Sequence, residues 1–278
     1  YDLDRSKGVF SRPTHKLAGQ SYVGRILVLH TAKGGVATAW MLRDMAERGV
    51  IVTNTPDVLT ECVADTCWAF ILATVRRTCF HDRYVRAGKW LKGPAPLTDR
   101  LWGGRLGILG LGRIGRAIAR RGEAFKMSIA YSNRRRVGDV SYDYYPSALE
   151  LAKNVQILVV VTPGGKETEN LVDRLVIDAL GDKGYLINIS RGSTVDEAYL
   201  VDALKNNRLA GAGLDVFRKE PQVPEALFAL DNVVLQPHVG SATVPTRQAM
   251  AQLVVDNVAA HFAGKPPLTP VPETPFRG

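Results

Sequence analysis

The chain has 278 residues, 46% of them apolar, and its 36 lysines and arginines against 27 aspartates and glutamates give a formal charge of +9. Such a length admits one or two domains with a substantial core. No basic run is interleaved with aromatic residues, no apolar stretch approaches the ~20 residues of a membrane span, and no secretory signal is present, so the reading has no nucleic-acid and no membrane partner. An anionic cofactor and an acidic substrate account for part of the positive excess. The three cysteines, Cys62, Cys67 and Cys79, share one helical stretch, fit no zinc spacing and are odd in number. They read as reduced residues of a cytoplasmic protein without a metal site.

Residues 1–24 are polar and carry no pattern. Arg25 to His30 (RILVLH) reads as a strand, followed by Lys33-Gly34-Gly35-Val36 and a helical stretch from Ala39 to Arg48. Val50 to Thr53 reads as a second short strand, ended by Asn54-Thr55-Pro56. From Asp57 one long helical pattern runs through Val63, Cys67, Phe70, Ile71 and Val75 to about Ala87, where Gly88 ends it.

Residues 105–136 form the unit around which the rest is organised. Arg105 to Leu109 is a short apolar run, and Gly110-Leu111-Gly112-Arg113-Ile114-Gly115 follows as G-x-G-x-x-G. An amphipathic helix from Arg113 to about Phe125 and a second apolar run from Met127 to Tyr131 close it. In this strand–turn–helix–strand setting the glycines have separate tasks. Gly110 permits the tight turn, Gly112 lets backbone approach a pyrophosphate, and Gly115 lets the helix lie close on the strand. The helix N-terminus then offers free N–H groups to the anion. Where a carboxylate would grip a ribose 2′-hydroxyl, the chain reads Ser132-Asn133-Arg134-Arg135-Arg136. Hydroxyl, amide and guanidinium groups suit a 2′-phosphate, which points to NADP(H).

Strands and helices alternate onward. Helical patterns cover Pro146–Lys153, Val172–Leu180 and Asp196–Asn206; strand patterns cover Val155–Val161, Gly184–Ile189, Gly211–Val216 and Asn232–Gln236. Pro245 to Phe262 is a final long helix before a proline-rich tail. The alternation predicts an α/β, doubly wound parallel (Rossmann) sheet with ligands at the carboxyl ends of its strands.

Three polar clusters fall at such strand ends: Ser190-Arg191-Gly192, Asp215 through Glu220-Pro221, and Pro237-His238-Val239-Gly240. Reduction of a ketone needs a proton donor for the developing alkoxide, which suits histidine. It also needs a cation to hold a substrate carboxylate and polarise the carbonyl, which suits arginine. A carboxylate bonded to the histidine would orient the ring and favour its charged form. His30, His81 and His261 read as structural.

From Val52 to Val271 the chain resembles the D-isomer-specific 2-hydroxyacid dehydrogenase family, and is most similar to its plant-type NADPH-dependent hydroxypyruvate, glyoxylate and hydroxyphenylpyruvate reductases. VTNTPDVLTECVAD, GILGLGRIGRAIARR, LINISRG, GAGLDVF, KEPQVPEALF, NVVLQPHVGSAT and PLTPV carry the resemblance. It implies that His238 is the acid/base, Glu220 its partner, Arg191 the residue that binds substrate carboxylate and carbonyl, and Asp215 a neighbour of the nicotinamide carboxamide. The cofactor set it implies is Gly110, Gly112, Arg113, Ile114, Gly115, Ser132, Asn133, Arg134, Thr162, Pro163, Thr168, Ile189, Asp215 and Gly240. Gly35, Val36 and Arg191 would bind a 2-oxoacid, and Trp90 would reach the active site of the partner in a homodimer.

The same resemblance implies a dinucleotide-binding domain at 57–241 and a smaller flavodoxin-like substrate lobe from 1–56 with 242–278. That lobe looks incomplete or diverged. Lys33-Gly34-Gly35-Val36-Ala37-Thr38 lacks the aspartate of the family's V-G-x-D loop, and the sequence before it does not resemble the family. Two other readings remain: a dinucleotide-sensing, corepressor-like interaction protein, and an inactive truncated relative.

Overall fold

The computed structural model describes residues 51–272 and 274 and, nearer the N-terminus, residues 3–4, 7, 9–10, 13 and 16–21. The strand expected at 25–30, the helix expected at 39–48 and the Gly35–Val36 loop lie outside the described residues. The chain divides into two compact units, Tyr1–Val36 and Ala37–Gly278. In the first, β1 (Leu3–Asp4) pairs antiparallel with β2 (Val9–Phe10), and Val9 bridges Ser21.

The second unit is built on seven parallel strands. Chain order gives β3 (Arg105–Leu109), β4 (Ser128–Ser132), β5 (Asp143–Tyr145), β6 (Ile157–Val160), β7 (Tyr185–Asn188), β8 (Gly211–Leu214) and β9 (Val233–Leu235); spatial order is β5-β4-β3-β6-β7-β8-β9. The chain thus runs outward from β3 to β5 and returns to β6 on the other side, placing a switch point between β3 and β6 where ligands bind such sheets. Ile157-Leu158-Val159-Val160 is fully buried, as a strand covered on both faces requires. Alternation sends Ile157 and Val159 to a core shared with Phe70, Ile71 and Ile118, and Leu158 and Val160 to one shared with Leu151, Ile177, Leu200 and Leu204.

Helices α1 (Thr60–Val75) and α3 (Arg113–Ala124) cover the first face; α4 (Ala148–Ala152), α5 (Arg174–Leu180) and α6 (Glu197–Lys205) cover the second. The Trp68 ring stacks on Phe125 at 4.5 Å and its indole N–H donates to the Ile118 carbonyl at 3.1 Å, pinning α1 to α3. The last helix, α7 (Val244–Phe262), leads to a segment that returns to the start of the unit. There Thr53 bridges Pro270, and the Asn54 and Val271 N–H groups bond the Thr269 and Val52 carbonyls.

Two expectations need correction, and one strand was not anticipated. The long helix from 57 to 87 is two helices, α1 and α2 (Thr78–Arg86), separated at Arg77, whose φ is 49°. The apolar stripe that holds α1 runs out at Val75, and α2 buries none of its residues, so nothing keeps the two collinear. Of the strand expected at 50–53, the described part makes only the Thr53 bridge. The edge strand β5, Asp-Tyr-Tyr, carries no apolar run to announce it. Among the described residues no helix is long and apolar enough to cross a membrane.

Candidate active site

The glycine turn leaves β3 with Gly110 at φ 108°, in the region open to glycine. A Cβ on Gly115 would stand 2.3 Å from the Gly110 carbonyl oxygen, so α3 lies directly on the turn; one on Gly112 would meet nothing within 4 Å. Gly112 is extended, and no side chain caps the helix that follows it. The open side of the turn therefore consists of backbone and free helix N–H groups, the surface a pyrophosphate needs. Thr162, after β6, holds a buried hydroxyl oxygen with no partner, while Thr168 Oγ1 donates to the Pro163 carbonyl at 2.7 Å. Ile114 packs against the core and Ile189 is buried beyond β7.

The end of β4 differs in detail from the sequence reading. Asn133 Oδ1 accepts the Leu111 N–H at 2.7 Å, so this side chain holds the glycine turn. Ser132 is buried, and its carbonyl accepts the Gly110 N–H at 3.0 Å. Arg134 is exposed, with Nη1 3.4 Å from Glu167 Oε2, and Arg113 Nε lies 2.9 Å from Asp57 Oδ1. No carboxylate occurs between 132 and 136. Turn, helix terminus, orphan hydroxyl and exposed guanidinium fit a dinucleotide bearing a 2′-phosphate.

Beyond β7 the main chain of Arg191 is fixed by buried neighbours. Asn188 Oδ1 accepts both the N–H and the hydroxyl of Ser190 at 3.0 Å, while Asn188 Nδ2 and Thr194 Oγ1 donate to the Arg191 carbonyl at 3.1 and 2.6 Å. The Arg191 side chain lies over Gly164, where a Cβ would come within 2.5 Å of its Cγ, and Nη1 donates to the Ser190 carbonyl at 2.6 Å.

The ends of β8 and β9 are joined by Asp215. This residue is 2% exposed. Its Oδ1 and Oδ2 accept the Val239 and Gly240 N–H groups, and its carbonyl accepts the His238 N–H, each at 2.8 Å. Burial pushes the Asp215 carboxyl above its ordinary value, although these N–H groups and His238 pull the other way. The three bonds hold His238 at φ 57°. Its Nδ1 lies 2.8 Å from Glu220 Oε2, and Glu220 Oε1 accepts the Phe217 N–H at 3.0 Å. A carboxylate accepts, so Nδ1 carries the proton and Nε2 is the nitrogen left to face a substrate.

Hydrogen bonds thus unite Asp215, Glu220 and His238, and close packing of Gly192 on Phe217 brings the Arg191 loop against them. Trp90 is 68% exposed on the turn Lys89–Lys92, and Gly35 and Val36 lie outside the described residues. Sequence reasoning passed over Asn188 and Thr194; the polar end of an otherwise apolar strand, Leu186-Ile187-Asn188, was the available signal. The arrangement can hold an anion and deliver a proton at the sheet edge that also carries the dinucleotide turn.

Comparison with known proteins agrees with that geometry. Residues 68–240 match the family model for the NAD binding domain of D-isomer specific 2-hydroxyacid dehydrogenase, and residues 1–61 match that for the aconitase X swivel domain. The chain is 59% identical over 225 residues to a glyoxylate/hydroxypyruvate reductase of Arabidopsis thaliana, covering 81% of this chain and 72% of that one. The hydroxyphenylpyruvate reductase of Plectranthus scutellarioides matches with the same identity and coverage. An NADPH-dependent glyoxylate/hydroxypyruvate reductase of Sinorhizobium meliloti, solved with NADP and malonate, superposes with a TM-score of 0.82 at 52% identity, over 85% of this chain and 75% of its own.

Proposed function

The chain belongs to the D-isomer-specific 2-hydroxyacid dehydrogenase family, and we propose that it is an NADPH-dependent reductase of a 2-oxoacid of the glyoxylate, hydroxypyruvate or hydroxyphenylpyruvate class, yielding the D-2-hydroxy acid. The 2.8 Å contact between His238 and Glu220, on the same strand-end edge of the sheet from which the open glycine turn leaves, carries this reading. The reductases at 59% and 52% identity support the substrate class and the cofactor.

Bound NADPH supplies the hydride. Gly110, Gly112, Arg113, Ile114 and Gly115 would receive its pyrophosphate, Arg134 its 2′-phosphate and Asp215 its nicotinamide carboxamide, with Thr162, Pro163, Thr168, Ile189 and Gly240 lining the remainder of the dinucleotide. Ser132 and Asn133 shape that site from behind the turn. His238 protonates the substrate oxygen from Nε2, and Glu220 stabilises the imidazolium from which the proton leaves. Arg191 grips the substrate carboxylate and polarises the carbonyl, a task for a planar fork with several donors.

In this reading residues 57–241 bind the dinucleotide and residues 1–56 with 242–278 form the substrate lobe, supported by the pairing of 52–54 with 269–271. The protein acts as a cytoplasmic homodimer in which Trp90 reaches the partner. Trp90, Leu91 and Leu97 are all largely exposed within eight residues of chain, which suits a second copy. NADPH oxidation with glyoxylate, hydroxypyruvate and 4-hydroxyphenylpyruvate tests the proposal. Turnover on at least one is expected; cofactor binding without turnover on any would favour the dinucleotide-sensing alternative.

A further inference from the structure

Glu220 stands beyond the last buried residue of its segment. Asp215, Val216 and Phe217 are buried, whereas Arg218, Lys219 and Glu220 are exposed. Arg218 ties the turn carrying Glu220 to the neighbouring segments. Its N–H donates to Glu197 Oε2 at 2.9 Å, its Nη1 to Asn170 Oδ1 at 2.7 Å, and its Nη2 to Glu169 Oε1 at 2.6 Å. Glu169 and Asn170 directly follow Thr168, the end of the segment assigned to the cofactor. The Asn170 N–H bonds the Ser193 carbonyl at 2.8 Å, and a Cβ on Gly192 would stand 2.3 Å from the Arg218 nitrogen, so the Arg191 loop joins the same junction. Loops after three strands, β6, β7 and β8, meet around Arg218, the first at its guanidinium and the second against its main chain.

Resting on the reading that His238 and Glu220 form the acid/base pair, we propose that Arg218 is a positioning residue for that pair. By tying the loop after β6 to the turn after β8, it sets how firmly Glu220 holds the imidazolium. Charge-assisted hydrogen bonds from one rigid fork to two adjacent residues fix a direction as well as a distance. Lysine at this position keeps the charge and can reach Glu169, but lacks the fork that also engages Asn170. Arg208, which pairs with Tyr199, Asp178 and Asp202 on the outer surface, serves as a comparison because it is a similar fork with no link to Glu220.

The experiment compares Arg218→Ala, Arg218→Lys, Arg208→Ala and Glu220→Gln in pH profiles of 2-oxoacid reduction by the full chain. Arg218→Ala should lower kcat roughly tenfold, as a small misplacement of a catalytic group does, with KM changed by less than about twofold. The pH at which kcat/KM fades should fall in Arg218→Ala, in the direction seen for Glu220→Gln but by less. Arg218→Lys should recover part of both effects, and its pH profile carries the same readout should the alanine variant fail to fold. A profile unmoved in both Arg218 variants but moved by Glu220→Gln would overturn this role while leaving the acid/base pair standing. Profiles unmoved in all variants would overturn the pair and this role with it. An equal loss in Arg208→Ala would reduce Arg218 to general stability and overturn the positioning role.

Discussion

Gly192 lies against the main chain of Phe217: a Cβ built on it would stand 2.0 Å from the Phe217 carbonyl carbon and 2.2 Å from its oxygen. The loop that presents Arg191 and the turn that presents Glu220 therefore meet backbone to backbone, with no room for a side chain. Gly192→Ala must force the two apart. Overpacking of this kind costs about 1–3 kcal/mol, read from denaturant unfolding, and kcat should fall further than that loss of folded protein explains. Parental stability and parental kcat together would show that the loops can separate freely.

Cofactor choice should rest on Arg134. Its pairing with Glu167 is long and exposed on both sides, so it offers little resistance to an incoming 2′-phosphate. Arg134→Ala should weaken NADPH about tenfold, the worth of a charge-assisted contact, and leave NADH unchanged in fluorescence titrations. Ser132→Asp should erase the preference by setting a negative charge at the end of β4. Equal dissociation constants for the two cofactors in the parent would contradict the assignment.

Asp215 makes an unusual contribution to acid stability. Burial raises its carboxyl above the ordinary value, so the folded chain takes up this proton more readily than the unfolded chain does. The charged form thus costs stability at neutral pH, and that cost is relieved as pH falls through the folded value. In the window just above the usual carboxylate value of about 3.9, the melting temperature of the cofactor-free parent should fall less steeply than that of Asp215→Asn. A steeper fall in the parent would reverse the sign of the argument.

The proposed homodimer would use the exposed segment after α2. Leu91 and Leu97 are 94% and 98% exposed, beside Trp90. Sedimentation at micromolar concentration should give twice the chain mass, because specific interfaces of ordinary size persist there. Replacing both leucines by aspartate should yield monomers. A monomeric parent would remove the basis for a Trp90 contact across subunits.

The unit from β3 to β4 was legible because each part had its own signal: apolar runs, three spaced glycines and an amphipathic helix. The break at Arg77 was not, since it contains neither glycine nor proline and residues that tolerate a helix continue on both sides of it. Asn133 was assigned to a phosphate because position along the chain suggested it; its bond to the Leu111 N–H depends on how the turn folds back, which spacing does not reveal. The same holds for Asp215, whose grip on Val239 and Gly240 joins segments about two dozen residues apart in sequence. The resemblance to the family failed ahead of Val52, and residues 1–61 match a swivel-domain model instead. Arg218 carried no signal at all, because its partners Glu169 and Asn170 reach it only through the parallel order of β6, β7 and β8.

In the proposed reaction His238 delivers the proton during NADPH-dependent reduction of a 2-oxoacid. The most direct test of that step is the initial rate of D-2-hydroxy acid formation by the parent and by His238→Ala on the best substrate of the three. Loss of a general acid typically costs 10²–10⁴-fold, so kcat should fall by about that factor while the NADPH dissociation constant stays at its parental value. A His238→Ala variant that forms the D-hydroxy acid at near-parental kcat would contradict the account.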